Sequence, residues 1–502
     1  NSNDNRVGGN WVGVNAQGSG PLKNSGRGVV IGGTASRNLI GTDDNAVMDE
    51  GERNVLSGNL DQGVAIFDSN AQFNVIAGNY IGTDALGTTA IPNTSTGILL
   101  GAGTQLNVVG TTDQSRVDSA AGNLISGNQV FGVRFRAGAT QNRVGGNWVG
   151  LDATGERALP NGFSGIGSFE GATDNLIGGQ TVQERNVISG NNEWGIRIQE
   201  DSGGNAIDGN WIGLSATGAE LGNSLGGILL EDAADNSIGN LNANIIAFNG
   251  MTGVAIEGDK SVRNWITKNA IFGHTGLGID LAFDGVDTND LLDADSGPND
   301  LQNYPVIEYV QRAESTNVSG VLNSLPNTTF LIELYVAENA ESRQGQEFLD
   351  SVEVTTDGNG LGLWAASLRP LSDGQAIIAT TKNLAAGHSE FSIPVVSLEF
   401  RTPQQAWDEA TESFTATVYR NSLSTSQALT IEFGDFPSEQ IQLPSSVTIP
   451  AGQESTDFVV GIVDDSIMED EVWVEIIGTA PGVAIGKLQI IITDNDVPKW
   501  HN

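Results

Sequence analysis

Three arginines and one histidine have the residue types and neighbours to do chemistry in the first half of this chain. Arg134 and Arg136 alternate with Val133 and Phe135, so on an extended segment both point to one face. Arg197 lies in a second alternating segment, Gly195-Ile196-Arg197-Ile198. Guanidinium groups on one face can hold carboxylates through paired hydrogen bonds. His274, within Phe272-Gly273-His274-Thr275-Gly276, has the ordinary pKa for general acid–base work. Asp43-Asp44 is the one neighbouring aspartate pair before residue 285 of the kind that divides acid and base roles in hydrolysis. Each has a plainer reading: the arginines offset an acidic surface, His274 is a surface residue at a strand end, and Asp43-Asp44 sits in an insertion. Trp11, Tyr80, Trp148 and Trp211 recur at similar intervals and could stack on sugar rings or form a packing ladder.

The scaffold that must position these residues is a repeat. Gly-Asn, an aromatic, an aliphatic and Gly recur as Gly9-Asn10-Trp11-Val12-Gly13, Gly78-Asn79-Tyr80-Ile81-Gly82, Gly146-Asn147-Trp148-Val149-Gly150 and Gly209-Asn210-Trp211-Ile212-Gly213, at Asn-to-Asn steps of 69, 68 and 63. Three further Asn-x-aliphatic anchors fall in each unit: Asn5, Asn38, Asn54, then Asn74, Asn107, Asn123, then Asn142, Asn175, Asn186, then Asn205, Asn236, Asn244. Read as one anchor per turn, the superperiod gives roughly 23 residues per coil and about a dozen coils, near 60 Å long at ~4.8 Å each. The apolar residues alternate with period two, as short strands with one inward face require. Asn at equivalent corners can stack in ladders, and Gly supplies bends with positive φ.

Length, charge and composition bound the rest. The 502 residues carry 61 acids against 23 Lys and Arg, for a net charge of -38, which argues against nucleic acid and anionic membranes. The chain has no Cys, so thiolate zinc sites and disulfide scaffolds are excluded. No apolar run reaches the ~18 residues of a membrane span. Asn1 opens inside the repeat, so we expect a piece of a longer polypeptide.

The repeat over residues 1–285 resembles the right-handed parallel β-helix of the pectate-lyase-like superfamily, and more closely the Asn/Gly-rich repeats of large bacterial extracellular proteins. Calcium-dependent lyases of that fold can use an Arg base, which is what the resemblance implies for Arg134, Arg136 and Arg197. Residues 286–300 read as an acidic linker: from Asp280 to Asp300 there are seven Asp and neither Lys nor Arg. Asp287, Asp293 and Asp295 are weaker calcium candidates there, since Asp293-x-Asp295-x-Gly297 resembles half of a calcium loop. Residues 301–397, with alternating runs such as Thr329-Phe330-Leu331-Ile332-Glu333-Leu334-Tyr335-Val336, resemble an immunoglobulin-like bacterial module. Residues 398–502 resemble a Calx-β domain through Glu409, Arg420, Pro450-Ala451-Gly452, Asp464-Asp465, Glu469, Glu471 and Asp494-Asn495-Asp496. That resemblance implies Ca²⁺ held by Glu409, Asp464, Asp465, Glu469, Glu471, Asp494 and Asp496.

The expected architecture is therefore all-β: a right-handed parallel β-helix solenoid followed by two β-sandwich domains. The leading expectation is a calcium-stabilised structural or adhesion protein, secreted or on the cell surface, whose partners are further domains of the same polypeptide or copies of itself. The alternatives are a polysaccharide lyase or glycoside hydrolase acting on acidic polysaccharide along the β-helix groove, and a carbohydrate-binding module. No membrane insertion is expected.

Overall fold

The structure, a computed structural model, describes residues 2–45, 49–111, 120–312, 314–339, 342–372, 375–420, 427–434, 436–464, 471–480 and 483–493. Its contacts separate into two units. The first comprises Asn1–Asn303 with Gln344–Phe348 and Thr381–Phe391, and the second comprises the remainder.

Three parallel sheets of nine strands each run through the first unit. Each turn of the chain adds one short strand to every sheet, from Arg6–Val7, Trp11–Val12 and Val29–Ile31 to Trp265–Ile266, Ala270–Phe272 and Ile279–Leu281. This is a parallel β-helix, wound in the right-handed sense of parallel crossovers. It has nine coils rather than a dozen, and ~4.8 Å per coil spans about 40 Å rather than 60 Å. The reading of 23 residues per coil fails because the anchors occupy different corners. Asn5 and Asn38 stack before the first sheet, whereas Asn54 stacks between Asn10 and Asn79 before the second. Each superperiod therefore holds two coils of roughly 34 residues. Inward positions are aliphatic, as in the column Ile40, Ile76, Val109, Val144, Ile177, Ile207, Ile238 and Ile266, every one almost fully buried.

Asparagine holds successive coils in register. In the first ladder the Nδ2 groups of Asn5, Asn38, Asn74, Asn107, Asn142, Asn175, Asn205 and Asn236 each donate to the Oδ1 of the next member, the last to Asn264. The second ladder runs Asn10, Asn54, Asn79, Asn123, Asn147, Asn186, Asn210, Asn244 and Asn269 in the same way. A third, which the anchor pattern missed, runs Asn24, Asn59, Asn93, Asn128, Asn161, Asn191, Asn223 and Asn249. An interior member does more than stack. Asn107 donates to Asn142 Oδ1 and to the carbonyl of Ala71, while its own Oδ1 accepts the backbone N–H and the Nδ2 of Asn74. The turn between two sheets is thus tied to both neighbouring coils although it lies outside both ladders of strand hydrogen bonds.

The two-coil period comes from a loop. After the second sheet, alternate coils send out a small hairpin, closed by Val14↔Pro21, Thr83↔Ala90, Leu151↔Ala158 and Leu214↔Glu220. The returning arm bonds to the coil below, where Gly58, Gly127 and Gly190 donate to the carbonyls of Ile91, Leu159 and Leu221. Each hairpin so fills the height of two coils, and consecutive hairpins meet through Ala85, Ala153 and Ala216, whose N–H groups donate to Gly18, Gly87 and Gly155. The glycine closing each Asn-aromatic-aliphatic-Gly motif is required sterically. Gly82, Gly150 and Gly213 have φ of 93°, 92° and 95°, and a Cβ there would lie within 2.3 Å of a carbonyl oxygen in the next coil.

The second unit is antiparallel for the most part and holds two cores. One gathers Phe330, Ile332, Leu334, Val354, Trp364 and Ile377, and the other Phe400, Phe414, Val418, Ile431, Phe458 and Ile490. In the latter, Trp407 stacks on Phe414 at 4.2 Å between ring centroids. Arg420 is buried there and donates to the carbonyls of Gln453, Gln427 and Pro450, which fixes the Pro450-Ala451-Gly452 turn.

The ladder makes a stability prediction. Asn142→Ala leaves several buried donors and acceptors unpaired and should cost about 3 kcal/mol or more, whereas Asn10→Ala in the first coil should cost about 1 kcal/mol. Chemical denaturation of the two variants checks this, and equal losses would contradict a cooperative ladder.

Candidate functional site

The four recurring aromatics stand in one column of the second sheet. The register runs Trp11, Val55, Tyr80, Leu124, Trp148, Val187, Trp211 and Ile245, so an aromatic occupies every other coil. The hairpins cover one side of these rings: a Cβ on Gly18, Gly87 or Gly155 would fall within 3.3 Å of Trp11, Tyr80 or Trp148. On the opposite side, loops in the intervening coils form a second wall. From it Arg53 lays its guanidinium over Tyr80 at 4.2 Å and Arg185 over Trp211 at 4.5 Å. The aromatic column is therefore a structural floor with two walls.

The arginine candidates lie on the outer face of the third sheet. Arg134 and Arg197 are two coils apart in one register column, separated by Gly167. Arg136 pairs with Glu170 at 2.9 Å, Arg134 approaches the same carboxylate at 3.8 Å, and Arg197 reaches Glu193 and Glu231 at 3.4 and 3.8 Å. Arg134 also lies 4.7 Å over Phe169, and burial, then the neighbouring Arg136, lowers its pKa. All three arginines are engaged as counter-charges to glutamates. Asp43 is occupied similarly, pairing with Arg6 at 3.1 Å. Asp44 accepts from the backbone of Ala120.

His274 is not the surface residue expected from the sequence. It is 8% exposed and replaces asparagine at the end of the third ladder. Its Nδ1 accepts the backbone N–H of Asn249, and its Nε2 lies 3.1 Å from the carbonyl of Ile246. The closing residues beyond it come from far along the chain, and no local sequence signal marks them. Gln344 accepts from the His274 backbone and donates to the carbonyls of His274 and Gly276. Asn299 extends the first ladder by accepting from Asn264, and His388 Nδ1 accepts from Ile266. Next to the last coil, Glu390 accepts the backbone N–H groups of Leu281 and of Asp287, the latter within the acidic segment 286–300.

Oxygen-rich groups suited to a hard cation occur twice among the described residues. Asp290, Asp293 and Asp295 place carboxylate oxygens within 4.8 Å of one another, as do Asp43, Asp49 and Glu52. In the first group burial raises the pKa of Asp295, with the Asp290 charge adding to it. Asp293 already accepts from Gln302 and Asn303, so three carboxylates supply only part of the six to eight oxygens Ca²⁺ takes. Asp287 donates its backbone N–H to Glu390 and is not in that group of three. Of the calcium residues implied by the Calx-β resemblance, Glu409 is buried and its backbone donates to Thr493, while Asp464 and Glu471 are exposed. Asp465, Glu469, Asp494 and Asp496 lie outside the described residues.

No family model matches the sequence, and no curated protein does. Among solved structures, an apo-form Calx CBD1 domain aligns over 20% of this chain and 99% of that chain at 16% identity, with a TM-score of 0.16. The BSP domain of a biofilm associated protein aligns over 40% of this chain and 30% of that one, at 16% identity and a TM-score of 0.17. A tetra-tandem repeat from the extending region of a large adhesion protein aligns over 37% and 47%, at 11% identity and a TM-score of 0.14. At these scores the fold description stands on the strand pairing alone. No helix among the described residues is long and apolar enough to cross a membrane.

Burial lowers the His274 pKa from 6.5 to about 4. The unfolded chain therefore binds a proton that the folded chain refuses, so this contribution is complete above pH 6.5 and is lost as the pH falls toward 4. Denaturation midpoints of the first unit should drop across that window. His274→Asn, which restores the ladder residue, should flatten the dependence, and an unchanged profile in the variant would assign the loss to other groups.

Proposed function

We propose that this chain is a load-bearing segment of a modular protein, secreted or displayed on the cell surface, that serves as a stalk or adhesion module. The observation that carries this reading is the continuity of the three asparagine ladders through the β-helix. The first ends on Asn299 and the third on His274, itself followed by Gln344, all supplied by the chain itself. Such a stack resists separation of its coils because each interface breaks strand hydrogen bonds and ladder hydrogen bonds together. The engagement of Arg134, Arg136 and Arg197 by glutamates supports a charge-balancing role in preference to lyase chemistry.

Its partners, in this proposal, are further domains of the same polypeptide or copies of itself. Calcium is the proposed stiffener, acting at the acidic end of the second sandwich and at Asp290, Asp293 and Asp295. A chelator should lower the melting temperature by several degrees, and Glu409→Gln should remove much of that sensitivity. A melt indifferent to both calcium and chelator would remove calcium from the proposal.

The mechanical claim is tested by stretching the chain between its two ends in an optical trap. Release of the first unit in one step of roughly 300 residues, about 100 nm of extended chain, is expected of a single cooperative stack. Release coil by coil at low force, in steps of about 12 nm for roughly 34 residues, would overturn it.

A further inference from the structure

One sheet edge in the antiparallel part of the chain lacks the defences that the others have. An open edge offers unpaired N–H and C=O groups, and proteins blunt it by shortness, charge or proline. Among the described residues, the edge strands Ala406–Asp408, Ile441–Gln442 and Ser446–Ile449 are two to four residues long. Gly345–Thr355, the long edge of the four-stranded sheet, carries Glu347, Asp350 and Glu353. Leu361–Leu368 is the exception, eight residues without a charge or a proline. Its neighbour Thr316–Asn323 is also uncharged, in a chain whose net charge is -38. On the outer face Leu363 stands in one row with Val321 and Val306, and Leu363 is 74% exposed.

The hydrogen bonds show which groups of this edge are open. Ser324 donates its backbone N–H to Gly360, and the antiparallel register carries that pairing on to Gly362, Trp364 and Ala366. The alternate residues Leu363, Ala365 and Ser367 therefore aim their N–H and C=O groups away from the sheet. Leu361 begins that alternate series, but Asp357 closes it. Asp357 donates to the Leu361 carbonyl and accepts the Leu361 N–H on Oδ1. The loop after Leu368 leads to the other side of the sheet, where Arg312 donates to the carbonyls of Ser372 and Gln375. No described residue bonds to the open groups of Leu363, Ala365 and Ser367.

Those three residues are symmetric about Ala365. We propose that a second copy of this chain pairs antiparallel with Leu361–Leu368 about a two-fold axis at Ala365. Ala365 then faces Ala365 of the second copy and Leu363 faces its Ser367, and each such pair exchanges two backbone hydrogen bonds. Every open group is used, and a two-fold contact closes at a dimer. The same register sets the exposed Arg369 of each copy against the turn where Asp357 closes Leu361 in the other. The backbone N–H groups of Leu361 and Asn359 hold the Asp357 carboxyl below its ordinary pKa, so both ends of the contact pair opposite charges. Pro370 follows, and its lack of an N–H ends the pairing. Two uncharged strands are what allow two strongly acidic chains to approach here. This contact deepens the copies-of-itself reading proposed above and rests on it, while needing neither calcium nor the asparagine ladders.

Sedimentation velocity on the whole chain in chelator tests it, up to about 0.1 mM because so short a pairing belongs with the weak interfaces. A monomer–dimer equilibrium is expected, with nothing larger. Ala365→Lys sets like charges opposite each other and should weaken the dimer about tenfold or more, as should Ala365→Glu, whereas a mixture of the two variants should dimerise again. The chain has no Cys, so Ala365→Cys reports the register directly. Mild oxidation should cross-link it into a dimer and should leave Ser351→Cys, midway along the acidic edge, uncross-linked. Melting curves separate lost pairing from lost folding, and Ala365→Cys remains decisive if Ala365→Lys unfolds. A monomer throughout, equal cross-linking at residue 351, or open-ended aggregates would overturn the proposal. A dimer indifferent to Ala365→Lys would overturn this surface alone and leave association of copies standing.

Discussion

The primary amide of asparagine is the group on which the rest of this structure depends. A strand of two or three residues cannot hold itself in a sheet, and a turn between two such strands leaves backbone groups that neither sheet can pair. Asparagine has two donors and an acceptor on a short stem. At Asn107 they reach the next coil, the previous coil and the backbone at once. Repeated at three corners, that arrangement lets coils be thin, lets loops vary outside them and keeps the register fixed. The aliphatic interior supplies the burial. The ladders decide that each residue of the interior meets its counterpart and not the one beside it.

Variation is accordingly confined to positions the ladders do not touch. The hairpins after the second sheet occupy two coils in height and so appear in alternate coils, where they cover Trp11, Tyr80, Trp148 and Trp211. The opposite wall of that sheet changes from Arg53 to Gly122 to Arg185 with Asn54, Asn123 and Asn186 unaltered beside them. Surface chemistry is thereby written onto a scaffold whose stability does not depend on it.

The fold is largely legible in the sequence, because period-two apolar segments and recurring Asn/Gly phrases have few other solutions. The column of four aromatics follows from the same phrases. The coil length is not, for a specific reason. The anchor series pools the two more conspicuous ladders and passes over the third, at Asn59, Asn93, Asn128 and Asn161, although its steps of 34, 35 and 33 residues give the coil directly. The end of the β-helix is not legible at all. Gln344 and His388 reach the last coils across long sequence separation, and nothing local marks a glutamine or histidine as the successor of an asparagine. His274 misleads on the same account, since a histidine in a Gly-rich turn looks exposed until the ladder beneath it is seen. The alternation around Arg134 and Arg136 does place them on one outward face, but the partners Glu170, Glu193 and Glu231 come from other segments, two of them from neighbouring coils.

The ladder account is tested most directly by hydrogen exchange across the first unit. If the three ladders bind nine coils into one body, amides of the turns containing Asn107, Asn142 and Asn175 should exchange as slowly as the strands they join. Protection should decline toward the turns of Asn5, Asn10 and Asn24 and persist at Asn264, where residues returning from later in the chain close the stack. Fast exchange in the central turns, at the rate of ordinary loops, would mean that the strands alone hold the β-helix and that the asparagines merely occupy its corners.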